Sequence, residues 1–211
     1  MAQVAKLTWS AAAAEVARRD PGLAAIISQA GPPRLRTKDP DGPFGALVRA
    51  IAYQQLAGKA AAAIHGRFRA LVPGVLTPEA VLALPEDAMR GAGLSRAKTV
   101  SIRDLAAHAA SGRLTVADLS RLADDEVVAR LVEVRGIGRW TAEMFLLFEL
   151  RRLDIWPAGD LAVREGWRLA HALDTPPTPK ELELLGEPLR PVRSVAAWYC
   201  WQAVHISRGQ I

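Results

Sequence analysis

One cysteine, Cys200, stands in 211 residues, so an intrachain disulfide is impossible, and so is an iron–sulfur cluster held by four cysteines. Such sparing use of cysteine fits a reducing compartment, and a cytoplasmic location is the expectation. The four histidines, His65, His108, His171 and His205, lie far apart without HExxH or Cys/His spacing, which leaves no zinc motif. No apolar run reaches the roughly 18 residues of a membrane span, so no membrane association is expected. The alanine-rich start, Ser10 to Ala17, is broken by Glu15 and followed by Arg18, Arg19 and Asp20, unlike a secretory leader. Period-two alternation of useful length is missing, as is any internal repeat, so the fold class is all-α.

Charge is present without being extreme. Lysine and arginine total 27 against 22 acids, a formal +5, which suits a polyanion partner but is weak support on its own. A chain of this length buries roughly 70% of the surface that its unfolded form exposes, enough for one domain or two small lobes.

Along the chain, Trp9 to Ala30 reads as two short helices, the first opening at Ser10. The second has Asp20 as N-cap, Pro21 at its first position and Gly31 as its stop. A proline- and glycine-rich connection, 31–43, follows. Helical spacing resumes at Phe44, Leu47, Val48, Ile51 and Ala52, and a second helix runs from Ala60 to Leu71. Short helices open at Thr77-Pro78-Glu79 and Pro85-Glu86-Asp87, and Ser95 caps a longer one. Leu119 to Val134 and Arg139 to Leu150 are the next two helices, the latter apolar on nearly every side. Another helix runs from Asp160 through Leu173, a rigid Thr175–Pro179 connector follows, and Val192 to Ser207 is the last helix.

The most informative stretch joins two of these helices. Val134-Arg135-Gly136-Ile137-Gly138-Arg139-Trp140-Thr141-Ala142 places two glycines where a helix begins. Glycine permits close approach to the backbone, and exposed N–H groups at a helix start make a seat for an anion. Arg139 adds charge beside it. The same letters also describe a plain tight turn between helices. About twenty residues on, Trp156-Pro157-Ala158-Gly159 leads to Asp160 at a helix start, where an aspartate is either an N-cap or a positioned carboxylate.

Taken together, this hairpin and the acid after it resemble the helix-hairpin-helix (HhH-GPD) DNA glycosylases, and more specifically the 3-methyladenine DNA glycosylase II, or AlkA-type, branch. A second matching stretch, FGALVRAIAYQQLAGKAA, runs from Phe44 to Ala61, and GLSRAKTVSIRDLA, Gly93 to Ala106, matches a third. The resemblance implies two helical lobes with a cleft between them and the helix-hairpin-helix at their junction. The central lobe would span 43–150, and the other would join 1–42 to 151–211.

It implies roles as well. Asp160 is the catalytic acid residue; Trp140, Trp201 and Met144 line the base pocket; Gly136, Gly138, Arg139, Thr141, Gln55 and Leu56 meet DNA, with Leu56 entering the gap left by an extruded nucleotide. The carbonyls of Val132, Val134 and Ile137 are the implied holders of a structural monovalent cation, and no other cofactor is required. Ser95, Arg96 and Lys98 are candidates to meet phosphate. Relatives that also cut the DNA backbone carry a lysine where this chain has Trp140, and an indole cannot form a Schiff base. Met144 stands where better-known members have tyrosine, which leaves the lesion range open. The implied activity is monofunctional excision of alkylated, preferably cationic, bases from double-stranded DNA, by a monomer located at the nucleoid. Two alternatives stand beside it: a glycosylase for oxidised or deaminated bases, and a non-enzymatic DNA-binding module in which Asp160 only caps its helix.

Overall fold

The structure, a computed structural model, describes residues 7–210. Those residues contain twelve α-helices, two short 3₁₀ turns and no strand, as the lack of period-two alternation predicts. In chain order the first pair is α1 (Trp9–Arg19) and α2 (Pro21–Ala30). The central helices are α3 (Gly42–Tyr53), α4 (Gly58–Ala70), α5 (Pro78–Ala83), α6 (Glu86–Gly91), α7 (Arg96–Ala110), α8 (Asp124–Val132) and α9 (Arg139–Phe148). The last three are α10 (Leu161–Ala170), α11 (Pro179–Gly186) and α12 (Arg193–Ser207). None of the described helices is long and apolar enough to cross a membrane.

The helices fall into two compact units. One contains the described residues up to Arg36 and those from Arg151 onward; the other is Thr37–Leu150. Residues 37–42 go with the central unit, where proline and glycine content alone would place them with the terminal helices. The reason is pairing: the Asp39 amide donates to Glu149 at 3.2 Å, and Asp41 takes a two-pronged ion pair from Arg69 at 2.6 and 2.8 Å. The ends of the outer unit, 1–6 and 211, lie outside the described residues.

Local signals explain most element ends. Asp20 accepts the Leu23 amide at 2.8 Å with Pro21 at the first helical position, and Gly31, at φ 72°, stops α2. Ser95 caps α7 through the Lys98 amide. Several boundaries differ from those expected. Thr8, not Ser10, caps α1. Residues 116–121 form a 3₁₀ turn and the chain is extended at Leu122 and Ala123, so the first hairpin helix starts at Asp124. The helix after Asp160 stops at Ala170. Finally, the supposed connector leads directly into α11, whose Thr178–Glu181 capping box and Pro179 form a complete start signal.

The outer unit is built on α12, which packs against α10, α2 and α1. Its Tyr199 is wholly buried, donates to the Gly31 carbonyl at 2.9 Å, and has its pKa pushed up to about 12 by burial. Gly166 sets the seam with α10: a Cβ there would overlap the Cys200 carbonyl and lie 2.7 Å from its Cα, so the two backbones touch.

A part-buried ion pair clamps α2 to α10. The Nε2 of His171 lies 3.0 Å from both Asp20 oxygens, its Nδ1 lies 2.9 Å from the Trp167 carbonyl, and its ring stacks on Trp167 at 4.1 Å. Both ring nitrogens face acceptors, so the imidazolium is the favoured form. Burial opposes that charge, but the Asp20 and Trp167 bonds outweigh it and raise the His171 pKa above its ordinary 6.5. Asp20, also partly desolvated, is held below its ordinary 3.8 by His171 and the Leu23 amide. The histidine's stabilisation is complete below pH 6.5 and is lost as pH rises through the raised value; the aspartate's is lost only in acid, as pH falls below 3.8. The urea midpoint of the wild type should therefore exceed that of His171→Gln most between about pH 4 and 6.5, and the gap should narrow by pH 8.5.

Candidate active site and DNA-binding hairpin

In the central unit, α8 and α9 form the hairpin, with turn residues 133–138 between them. Val134 and Ile137 are buried and anchor the turn, in which the Ile137 amide donates to the Val134 carbonyl at 3.1 Å. Helix α7 supports it from below: Asp104 accepts the Arg135 amide at 2.8 Å, and Gly136 rests on Ser101.

The two glycines serve different ends. Gly136 has φ 80°, and a Cβ on it would collide with the Ser101 hydroxyl and lie 2.9 Å from its Cβ, so glycine is required by the fold itself. Gly138 has φ −91° and ψ 172°, open to any residue, and nothing of the protein lies within 4 Å of the place a Cβ would take. It stands exposed at the start of α9 with no side-chain cap. Helix-start amides facing open space form an anion seat. Gly138→Ala should shift the melting temperature by no more than about 2 °C while weakening duplex DNA binding about tenfold, the cost of one charge-assisted hydrogen bond. Gly136→Ala should instead cost about 2 kcal/mol or more of stability, through its left-handed backbone and the collision with Ser101. Calorimetry and binding titrations separate the two.

Around the turn, Arg139 is exposed and its Nε donates to buried Glu143 at 2.9 Å, so its charge is partly balanced by a partner one helical turn on. Thr141 is buried and its hydroxyl lies 3.4 Å from Gln54 Nε2. Its side chain serves the hairpin's internal geometry, while its amide lies in the first turn of α9. Lys98 also faces inward, donating to the Ala52 carbonyl at 2.8 Å, and burial lowers its pKa. Gln55 and Leu56 are exposed in the loop after α3, with Gln55 at φ 55°. Trp140, half exposed, and the partly buried Met144 and Phe148 recur every fourth residue on one face of α9.

In the outer unit, Asp160 is partly buried and caps α10. Its Oδ1 accepts the Ala162 and Val163 amides at 2.8 and 2.9 Å and the Trp201 indole N–H at 3.3 Å. The segment leading to it is held on three sides. Arg193 forks onto Asp154 at 2.7 and 3.0 Å, Ser194 accepts the Ile155 amide at 2.8 Å, and Trp156 donates its indole N–H to Leu182 in α11 at 2.8 Å. The α10–α12 seam at Gly166 then brings Trp201, next to Cys200, up to the carboxylate. The oxygen that receives three donors cannot swing, so the whole carboxyl plane is fixed.

Gln54, Glu143 and the Trp201–Asp160 bond are contributions beyond those expected from the sequence. A glutamine two residues before the exposed Leu56 was a visible signal; the other two depend on helix register and on contacts made far apart in the chain.

A hairpin with an open, glycine-started anion seat, plus a rigidly capped acid, defines an all-helical protein of the helix-hairpin-helix kind. The sequence profile of the HhH-GPD superfamily base excision DNA repair proteins matches residues 48–191, and the chain belongs to that superfamily. DNA-3-methyladenine glycosylase 1 of Schizosaccharomyces pombe is 39% identical over 170 residues, 79% of this chain and 75% of the relative. Among solved structures, the S. pombe 3-methyladenine DNA glycosylase Mag1 in complex with abasic DNA superposes with TM-score 0.80 at 35% identity, covering 90% of this chain and 94% of its own. A DNA-3-methyladenine glycosidase from Bacillus halodurans gives TM-score 0.81 at 37% identity, covering 92% and 89%.

Proposed function

We propose that the protein is a monofunctional DNA glycosylase that everts alkylated bases from double-stranded DNA and hydrolyses their N-glycosidic bonds. The observation that carries this reading is Asp160: two helix-start amides and an indole N–H hold its Oδ1. Breaking the bond leaves positive charge on the sugar, as an oxocarbenium-like species. A carboxylate about 4 Å away, at an effective dielectric near 20, favours that charge by about 4 kcal/mol, on the order of a thousandfold in rate. It also orients the attacking water.

A single acid suffices where the base is already a good leaving group. Cationic 3-methyladenine and 7-methylguanine meet that condition, and 1-methyladenine and 3-methylcytosine extend the range. Trp140 and Trp201 offer indole faces to such rings, each worth about 0.5–2 kcal/mol, with Met144 on the Trp140 face. The target atom is out of reach in a stacked duplex, so the nucleotide leaves the helix, with Leu56 and Gln55 entering the minor groove. Phosphate binds the amides behind Gly138, and affinity falls as salt rises. The Val134 carbonyl spends one lone pair on the Ile137 amide and keeps another for a monovalent cation shared with the carbonyls of Val132 and Ile137, which would steady the turn. Trp140 in place of a lysine leaves no amine for strand cleavage. The enzyme acts as a monomer at the nucleoid.

The test is the mass of free bases released from a duplex treated with a methylating agent. Release of 3-methyladenine and 7-methylguanine, with intact abasic strands left behind, is the expected result. No methylated base released from that duplex, with release instead from duplexes that carry oxidised or deaminated bases, would overturn it.

A further inference from the structure

One side chain joins the exposed loop after α3 to the hairpin. Gln54 lies at the end of α3, where the backbone turns extended (φ −54°, ψ 134°), and its Nε2 donates to the Gly136 carbonyl at 2.9 Å and lies 3.4 Å from the Thr141 hydroxyl. The next residue, Gln55, takes the left-handed φ of 55° that turns Leu56 outward, 39% exposed. Helix α7 closes the circuit. Lys98 donates to the Ala52 carbonyl at 2.8 Å, Ser101 lies against Gly136, and Asp104 accepts the Arg135 amide at 2.8 Å. The path from Ala52 through α7 and the hairpin returns to Gln54, two residues from its start.

We infer that Gln54 is a positioning residue: it sets the register between a phosphate held at the start of α9 and the Gln55–Leu56 loop, so that grip on the backbone is converted into eversion of a nucleotide. The inference rests on the roles assigned above to the hairpin and the loop. Phosphate contacts exist before and after a base leaves the stack, so alone they bind both states equally and do nothing for the step between them. Eversion costs a few kcal/mol of stacking and pairing, and only a group held in fixed relation to the gripped backbone can offset it. A left-handed non-glycine residue such as Gln55 persists only where its surroundings over-determine it. The Gln54 side-chain amide next door supplies such a constraint, and without it the loop relaxes away from the groove. The hairpin amides keep their supports on α7, so the phosphate seat survives.

Gln54→Leu tests this, with Gln54→Met in its place should leucine prevent folding. The probe is a duplex with 2-aminopurine beside an abasic-site analogue, its fluorescence reporting unstacking. The variant should bind undamaged duplex within twofold of wild type with the same salt slope. It should lose most of the 2-aminopurine enhancement and release methylated bases five- to tenfold more slowly in single turnover, about the worth of one hydrogen bond. Thr141→Val, which removes only the longer contact, should give a smaller loss of the same kind. Unchanged fluorescence and rate would overturn the inference, as would undamaged-duplex binding that falls in step with the rate. Should the wild type release no base, the glycosylase reading fails, while the fluorescence comparison still decides the role of Gln54.

Discussion

Asp160→Asn should abolish base release, by about a thousandfold or more in single turnover, while duplex binding and melting temperature stay near wild type. This substitution separates chemistry from architecture because asparagine caps a helix about as well as aspartate. Its amide oxygen can take the places now filled at Oδ1 by the Ala162 and Val163 amides and the Trp201 indole. What disappears is the negative charge. A protein in which Asp160 merely ends a turn would be indifferent to the change, so equal base release from wild type and variant would leave a DNA-binding module and no enzyme. Binding to an abasic-site duplex, measured in parallel, guards against misfolding as the cause.

Gly166→Ala should be the most damaging single methyl group in the outer unit. In a helix interior alanine is worth about 1 kcal/mol over glycine, and at an open position the change would stabilise. Here the new Cβ meets the Cys200 carbonyl, carbonyl carbon and Cα, all backbone atoms that cannot step aside as a side-chain tip can. Helices α10 and α12 must separate along their seam, and overpacking of this kind costs about 1–3 kcal/mol and occasionally more. Set against the alanine gain, a net loss of about 2 kcal/mol corresponds to a melting temperature lower by about 4–8 °C for a chain of this size. Base release should fall too, since moving α12 carries Trp201 off Asp160. A melting temperature equal to or above that of wild type would show that the seam opens freely.

Features written in neighbouring residues were legible from the chain alone. Asp20-Pro21, Ser95 and Asp160 announce helix starts because a cap and its amides lie within three positions. Gly136 and Gly138 announce the hairpin because glycine alone takes the left-handed turn at Gly136 without strain and leaves open space before α9 at Gly138. The Thr178-Pro179-Lys180-Glu181 start of α11 was equally local, and only the neighbouring prolines hid it by suggesting a connector. Other features depend on groups brought together by folding. That Thr141 points inward, that Arg139 shares its charge with Glu143, and that Trp201 donates to an aspartate 41 residues away follow from helix rotation and packing. Residue type and spacing do not report these. The first boundary between the units shows the same limit: Asp39 and Asp41 sit in a stretch that reads as linker, and partners 110 and 28 residues away recruit them to the central unit.

The close α10–α12 seam has a chemical corollary for the chain's single thiol. Cys200 is fully buried, and burial, reinforced by the negative charges of Asp20 and Asp160, pushes its pKa well above the usual thiol range. Nucleophilic attack and oxidation both proceed through the thiolate, and that form is scarce here and shielded from collision. A cell under attack by methylating electrophiles damages exposed sulfur along with DNA, and this polypeptide offers such reagents almost no sulfur anion to modify.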